Sequence, residues 1–428
     1  MSTERAALIV ARVDELAGFS EEEGALTRRY GSRALVDAIA LAERWLVAAG
    51  LATRRDAIGN LIGRLEGERP GLPALAVGSH LDTVRDAGRW DGPLGVLLAI
   101  DQAERLVAAG RAGGGAEAVR GTALPFALEA VVFADEEGLR FPTAYLGSHV
   151  WAGLWDSAEL ALTDTDGVTV ETAIRAMGGD PACVGTGARR PGDLLGWCEA
   201  HIEQGTRLER AGLPLGVVTT IQGQTRCTAT FRGQAGHAGT TAMDARRDAL
   251  LAAAEWALGV EAEGLATEGL VATVGRLAVE PGAVNVIPGL AVASLDLRHP
   301  DDATRRAAVA SLAALAEELA ANRCVTVDWA QHTDNAAVAF SPRLQALLAE
   351  AVEVTTGAAA PRLASGAGHD AAPLARITNV SMLFVRCKDG ISHNPAESVT
   401  CADVAAAIAA LDCFVDLLAA DERAAARA

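Results

Sequence analysis

Apolar residues recur with a helical period over residues 4–18 and 33–49, which predicts two amphipathic helices. Residues 51–67 read as strands around the turn Ile58-Gly59-Asn60. The pattern then becomes continuous. Ala74-Leu75-Ala76-Val77 reads as a buried strand, followed by a glycine-rich loop and an apolar helical run, Val96 to Ile100, within a segment 74–108. Gly110 to Gly121 is Gly/Ala-rich and polar and reads as an exposed loop. A second buried strand runs from Leu128 to Ala134. Residues 139–196 read as helices and loops, with Trp151 and Trp155 in the core. Strands alternating with helices imply an α/β layer with a central sheet.

The second half changes character. An extended piece leads into Glu199-Ala200-His201-Ile202-Glu203-Gln204-Gly205. Strands are predicted at 216–233, 269–279, 290–298 and 324–329, with helices at 244–258 and 302–321 between them. Strand-helix-strand-strand-helix-strand is the split order of a ferredoxin-like α+β domain. It is placed as an insert, 214–330, inside a domain made of 1–213 and 331–428. The α/β pattern then returns, with a helix at 342–355, a loop Ser365-Gly366-Ala367-Gly368-His369-Asp370, a strand at 379–386 and a final helix from about 402. A length of 428 residues agrees with more than one domain.

Composition narrows the partners. A formal net charge of -18 argues against nucleic acid and anionic membrane surfaces, which carry the same sign. No apolar run is long enough to span a bilayer, and the first residues lead into an amphipathic helix instead of a signal segment. The 7 cysteines are scattered, odd in number and never spaced as Cys-x-x-Cys, so they read as reduced thiols of a cytoplasmic protein.

The candidate chemistry sits at strand ends. His80 and Asp82 are two apart, so both side chains leave one side of the strand, and Asp91 follows across a glycine-rich turn. Imidazole and carboxylate brought together suit a zinc-type ion, with Asp82 orienting the His80 ring. Glu136-Glu137 follow the second strand and His393 a later one. Carboxyl ends of strands line the ligand crevice of an α/β sheet, and His, Asp, Glu and His gathered there make a two-metal site with one bridging carboxylate. One of the adjacent glutamates can ligate while the other takes a proton from water. Of the 8 histidines, His80, His201, His237, His369 and His393 lie in loops beside Gly, Ser or acids. Taken singly, each feature also fits a blander role: a polar loop, a capped helix, a solvated acidic turn or a structural histidine.

Together the motifs resemble a known family. They are GSHLDTV at 78–84, DGPLGV at 91–96, FADEEG at 133–138, EAHIEQG at 199–205, GHAGTT at 236–241, NVIPG at 285–289, DLRH at 296–299, SGAGHDA at 365–371 and ISHNPAE at 391–397. In this order they resemble the two-metal amidohydrolases of the aminoacylase/carboxypeptidase superfamily, in the branch of N-carbamoyl-L-amino-acid hydrolase, β-ureidopropionase and allantoate amidohydrolase. The resemblance implies a zinc-peptidase-like catalytic domain, with the insert as a lid and homodimerisation surface. It implies that His80, Asp91 and His201 hold one divalent ion and that Asp91, Glu137 and His393 hold a second. Zn or Mn would serve, with Co and Ni as alternatives. It further implies Glu136 as general base, Asp82 behind His80, His237 as a catalytic hydrogen-bond donor, and Gln204, His237, Asn285 and Arg298 as substrate contacts. Ala242 and Ser398 depart from the family pattern, at positions that bear no ligand. The implied activity is hydrolysis of a linear ureido C–N bond in a carboxylate-bearing substrate: allantoate first, releasing ammonia and CO2, then N-carbamoyl-L-amino acids or β-ureido acids. A non-catalytic binding relative is the reading of another class.

Overall fold

In a computed structural model, residues 2–112 and 123–427 are described. Most of the loop expected at Gly110 to Gly121 lies outside the described residues. The chain divides into two compact units, Met1–Thr219 with Phe340–Leu363 and His369–Ala428, and Thr220–Ala339 with Ala364–Gly368. The second unit begins and ends somewhat later than the expected insert of 214–330 and gains a short return segment.

The first unit opens with α1 (Ser2–Ala17), α2 (Arg33–Ala49), β1 (Ala52–Arg55) and β2 (Leu61–Leu65). Ser32 starts α2 by accepting the Leu35 N–H, and Gly50 ends it in the left-handed conformation at φ 101°. Next come β3 (Ala74–His80), α3 (Pro93–Ala112), β4 (Ala127–Phe133), α4 (Leu146–Trp151), α5 (Val170–Ala176), β5 (Leu194–Ile202), α6 (Arg207–Ala211) and β6 (Leu215–Ile221). The central strands β3 and β4 are buried at every position, which is why their sequences read as continuous apolar runs and not as alternation.

The second unit carries β7 (Gly223–Arg232), β8 (Gly236–His237), α7 (Ala249–Ala266), β9 (Val271–Thr273), β10 (Leu277–Glu280), β11 (Val286–Ile287), β12 (Leu290–His299), α8 (Asp302–Asn322), β13 (Thr326–Asn335) and β14 (Val338–Ala339). Its sheet order β10-β12-β7-β13 is antiparallel throughout, with α7 after β7 and α8 after β12, the first and third of these four strands in chain order, which is the split order expected. β12 alternates buried and half-buried residues along its whole length, so one face meets α7 and α8. Trp256 seals that core, donating its indole N–H to the Leu312 carbonyl at 2.9 Å. The helix expected at 244–258 starts at Ala249 instead, because Asp248 caps it by accepting from Leu250 and Leu251 N–H. The strand expected at 216–233 is two strands, broken at Gln222.

The chain returns through α9 (Pro342–Thr356), β15 (Arg362–Ser365), α10 (Ala371–Leu374), β16 (Val380–Val385) and α11 (Cys401–Ala425). The first unit's sheet runs β1-β2-β4-β3-β5-β16-β6. The four central strands β4, β3, β5 and β16 are mutually parallel, while β2 and β6 join antiparallel. A central mixed sheet flanked by helices is the expected α/β class. The carboxyl ends of the four parallel strands lie side by side, so whatever follows each of them is gathered at one edge. Among the described residues no helix is long and apolar enough to cross a membrane.

Candidate metal centre

Each central parallel strand delivers part of one cluster. His80 is the last residue of β3, and Glu136 and Glu137 follow β4. His201 is the penultimate residue of β5, and His393 lies in the loop after β16. Asp91 stands just before α3, in a turn whose Gly92 has φ 85°. A side chain at Gly92 would place its Cβ 2.7 Å from the His80 Nδ1, so only glycine lets this turn close on the ring.

Asp91 is the centre of the arrangement. Its Oδ1 lies 3.0 Å from His201 Nε2 and 3.9 Å from His80 Nε2. Its Oδ2 lies 3.4 Å from His393 Nε2, which is also 3.6 Å from Glu137 Oε2. Donor atoms of His80, Asp91 and His201 lie within 4.8 Å of one another, as do those of Asp91, Glu137 and His393. His80, Glu136 and Glu137 form a further such group, and so do Glu199, His201 and His369.

Main-chain contacts fix the rings. His201 Nδ1 is 2.9 Å from the Ile202 carbonyl, and His80 Nδ1 is 3.0 Å from the Asp82 carbonyl, which turns both Nε2 atoms toward Asp91. The Asp82 carboxylate is 3.4 Å from His80 Nδ1. It accepts from Glu136 N–H at 3.1 Å and Glu137 N–H at 3.0 Å. Asp82 therefore stands behind His80 largely through its backbone, while its carboxylate holds the main chain of the two glutamates.

The electrostatics favour a cation. Burial is the main influence on the Glu137 carboxyl, and with Asp91 nearby it is pushed up to about 7. Glu136 is held well above its usual range by burial, against the pull of His80 and with Glu137 adding to it. Burial opposes charge on His80, yet Asp82, Glu136 and Glu137 outweigh it and hold the ring well above its ordinary value. Asp91 shifts the other way: burial opposes its charge, but His201, His393 and His80 hold it well below the usual carboxylate range. Carboxyls raised by one another and imidazoles raised by carboxylates mark a cluster in which acidic groups crowd together, a setting that a divalent cation would stabilise. Imidazole nitrogen and carboxylate oxygen, with no thiolate among them, are the donor chemistry of Zn, Mn, Co or Ni.

The other expected residues fall into two groups. Gln204, at φ 55°, donates to Asp91 Oδ2 at 2.7 Å and to Ser392 Oγ at 3.0 Å, so it braces the cluster. The remaining three lie in the second unit. His237 in β8 pairs with Val286 in β11, and the Ala238 N–H donates to the Asn285 carbonyl at 3.0 Å, so His237 and Asn285 are neighbours. Both side chains are exposed. Arg298 in β12 is half-buried and grips Asp296 at 2.8 and 3.1 Å, with a third donor on the Gly366 carbonyl at 2.5 Å.

The sequence of the chain matches peptidase family M20/M25/M40 over residues 76–417. A probable allantoate deiminase of Oryza sativa subsp. japonica is 39% identical over 98% of this chain and 90% of its own length. An N-carbamoyl-L-amino acid amidohydrolase of Geobacillus stearothermophilus is 38% identical over 85% of this chain and 86% of its own. The chain belongs to the M20/M25/M40 family. Among solved structures, an amidase of the hydantoinase/carbamoylase family from Burkholderia multivorans superposes with a TM-score of 0.87 at 33% identity, covering 96% of this chain and 97% of that one.

Within this M20 chain the structure adds residues to which the sequence reading gave no role. Glu199 is buried and accepts from Ser79 Oγ at 2.8 Å. The His369 ring meets the His201 ring edge-on, with centroids 4.5 Å apart. Asp370 accepts from Ser148 at 2.6 Å, and Ser392 donates to Asp91 Oδ2 at 2.6 Å. All but Ser148 lie inside the motifs, but nothing in a linear motif separates a ligand from its supports.

Proposed function

We propose that this protein hydrolyses allantoate at a linear ureido C–N bond, releasing ammonia and CO2, with two divalent ions, Zn or Mn, at the cluster around Asp91. The reaction class is that of the family relatives, hydrolysis of a C–N bond in a linear amide. The observation that carries the reading is the Asp91 carboxylate, whose Oδ1 faces His201 and whose Oδ2 faces His393. His80, Asp91 and His201 would hold one ion, and Asp91, Glu137 and His393 the other. When bound, the ions would polarise the scissile carbonyl and make water easier to deprotonate.

The chain's own residues do the rest. The Glu136 carboxylate takes a proton from the attacking water and passes it to the leaving nitrogen. Asp82 fixes the Glu136 main chain through the hydrogen bond described above, which keeps that base in place. Gln204 braces Asp91 and contacts the substrate beside it. His237 donates to the developing oxyanion. Asn285 binds the substrate alongside it, and Arg298 clamps a substrate carboxylate with paired N–H bonds. The second unit acts as a lid and a homodimerisation surface in a cytoplasmic enzyme.

N-carbamoyl-L-amino acids are the second reading, because relatives of both names match at nearly equal identity. A panel of allantoate, N-carbamoyl-L-amino acids and N-acyl amino acids, followed by ammonia release, decides between them. Allantoate should be turned over with the highest kcat/KM. Preference for a carbamoyl amino acid would install the second reading, and turnover of acyl amino acids alone would defeat both.

A further inference from the structure

Four residues beyond His393, in the same loop, stands Glu397, a residue only 4% exposed. Its Oε1 accepts from two consecutive main-chain donors, Trp90 N–H at 2.6 Å and Asp91 N–H at 3.0 Å. Its Oε2 is buried with no hydrogen-bond partner. Glu397 belongs to none of the groups whose donor atoms converge on a metal position. A buried carboxyl oxygen that accepts from two consecutive peptide N–H groups satisfies both donors at once and anchors that backbone. Its target is the short stretch of backbone that presents the shared carboxylate.

The surroundings are built for this contact. A Cβ on Gly88 would fall 2.4 Å from the Glu397 Cβ and 2.5 Å from its Oε1, so the absence of a side chain at Gly88 lets the carboxylate reach the two amides. The Asp91 side chain is gripped separately, by Ser392 Oγ and Gln204 Nε2 on Oδ2. His393 has φ 55°, a strained backbone for a residue that is not glycine, and it is held between Ser392 and the turn that leads to Glu397.

We infer that Glu397 is a positioning residue for the metal centre: it holds the Trp90–Asp91 main chain in the one conformation that aims the two Asp91 oxygens in opposite directions, and it ties the loop bearing His393 to that conformation. The inference rests on the reading of Asp91 as the shared ligand. Glu397 touches neither ion nor substrate and acts only through Asp91. What matters is an acceptor oxygen at the reach of a glutamate side chain, and not the negative charge.

The test uses full-length protein stripped by a chelator and titrated calorimetrically with Mn2+ alone, with thermal unfolding of each metal-free variant as a check on folding. Glu397→Gln keeps the acceptor and should bind Mn2+ within about fivefold of wild type. Glu397→Asp keeps the charge but loses the reach, and should bind about ten- to a hundredfold more weakly, the scale for loss of an outer partner of a metal ligand. Gly88→Ala leaves the carboxylate intact but pushes it away, and should fall with Glu397→Asp. Asp91→Ala, run in parallel, should lose binding altogether. If Glu397→Asp melts earlier yet binds Mn2+ as wild type does, Glu397 is a purely structural residue and the inference is overturned. If Glu397→Gln is as weak as Glu397→Asp, the charge is needed as well as the reach, and the inference fails in that form. If Asp91→Ala itself binds normally, the underlying ligand assignment has failed, and the inference goes with it.

Discussion

The two units present their polar residues in opposite ways. In the first, His80, Asp82, Asp91, Glu136 and His201 are nearly inaccessible, and each is oriented by main-chain groups or buried neighbours, while His393 alone of the expected ligands is exposed, at the rim of the cluster. In the second, His237 and Asn285 are exposed, and Arg298 rests on Asp296 from a half-buried position. Buried donors packed against a sheet have little freedom to rearrange. Exposed side chains on short strands and loops can trade local partners for a substrate at little cost. Under the proposed function the first unit would hold the ions and the base, and the second would supply most of the substrate and oxyanion contacts.

The largest effect expected is from metal removal. A chelator should abolish turnover, and adding back Mn2+ or Zn2+ should restore it. Full activity in protein shown by elemental analysis to be metal-free would break that assignment at once. Next comes Glu136→Gln, which should keep the metal content but lose about a hundredfold or more in kcat, the usual scale for a general base. Near-normal kcat in that variant would move the base elsewhere.

Smaller effects belong to the second unit. Arg298→Lys should lower kcat/KM for carboxylate substrates by about one to two orders of magnitude, mostly through KM, since an ammonium cannot reproduce the planar fork. Analogues lacking the carboxylate should be poor substrates for the wild type and indifferent to the change. Equal damage to both would make the Arg298–Asp296 contact a purely structural one. The smallest signal is complementation. If His237 serves the site of a neighbouring chain, mixing His237→Ala with Glu136→Gln protein should recover a fraction of wild-type turnover. A monomer by light scattering, with no recovery, would confine His237 to its own chain.

Much of this was legible in the sequence because burial leaves a signature. The apolar runs ending in His80 and before Asp135 read directly as central strands with chemistry at their ends. Motif order led to the residues that the structure gathers around Asp91, and the alternation in β12 carried the second unit's sheet. Other features were not legible, for physical reasons. β13 is largely exposed, so its residues beyond Trp329 carry no apolar pattern that would extend the expected strand 324–329 to Asn335. The short pair β8 and β11 depends on a contact between segments distant in the chain. Gln204 turned inward onto Asp91 because of its left-handed backbone, which the residue type does not announce. Glu397 and Glu199 work through main chain or buried hydroxyls, and only three-dimensional proximity reveals that.

The most direct test is the metal content of Asp91→Ala beside that of wild type, measured by elemental analysis after equilibration with excess Mn2+ and removal of free ion. One carboxylate reaching toward both histidine groups should make the two positions stand or fall together. Two ions per chain are expected in the wild type and none, or close to none, in the variant. Loss of a single ion, or retention of both, would contradict a shared Asp91 and with it the arrangement on which the proposed hydrolysis rests.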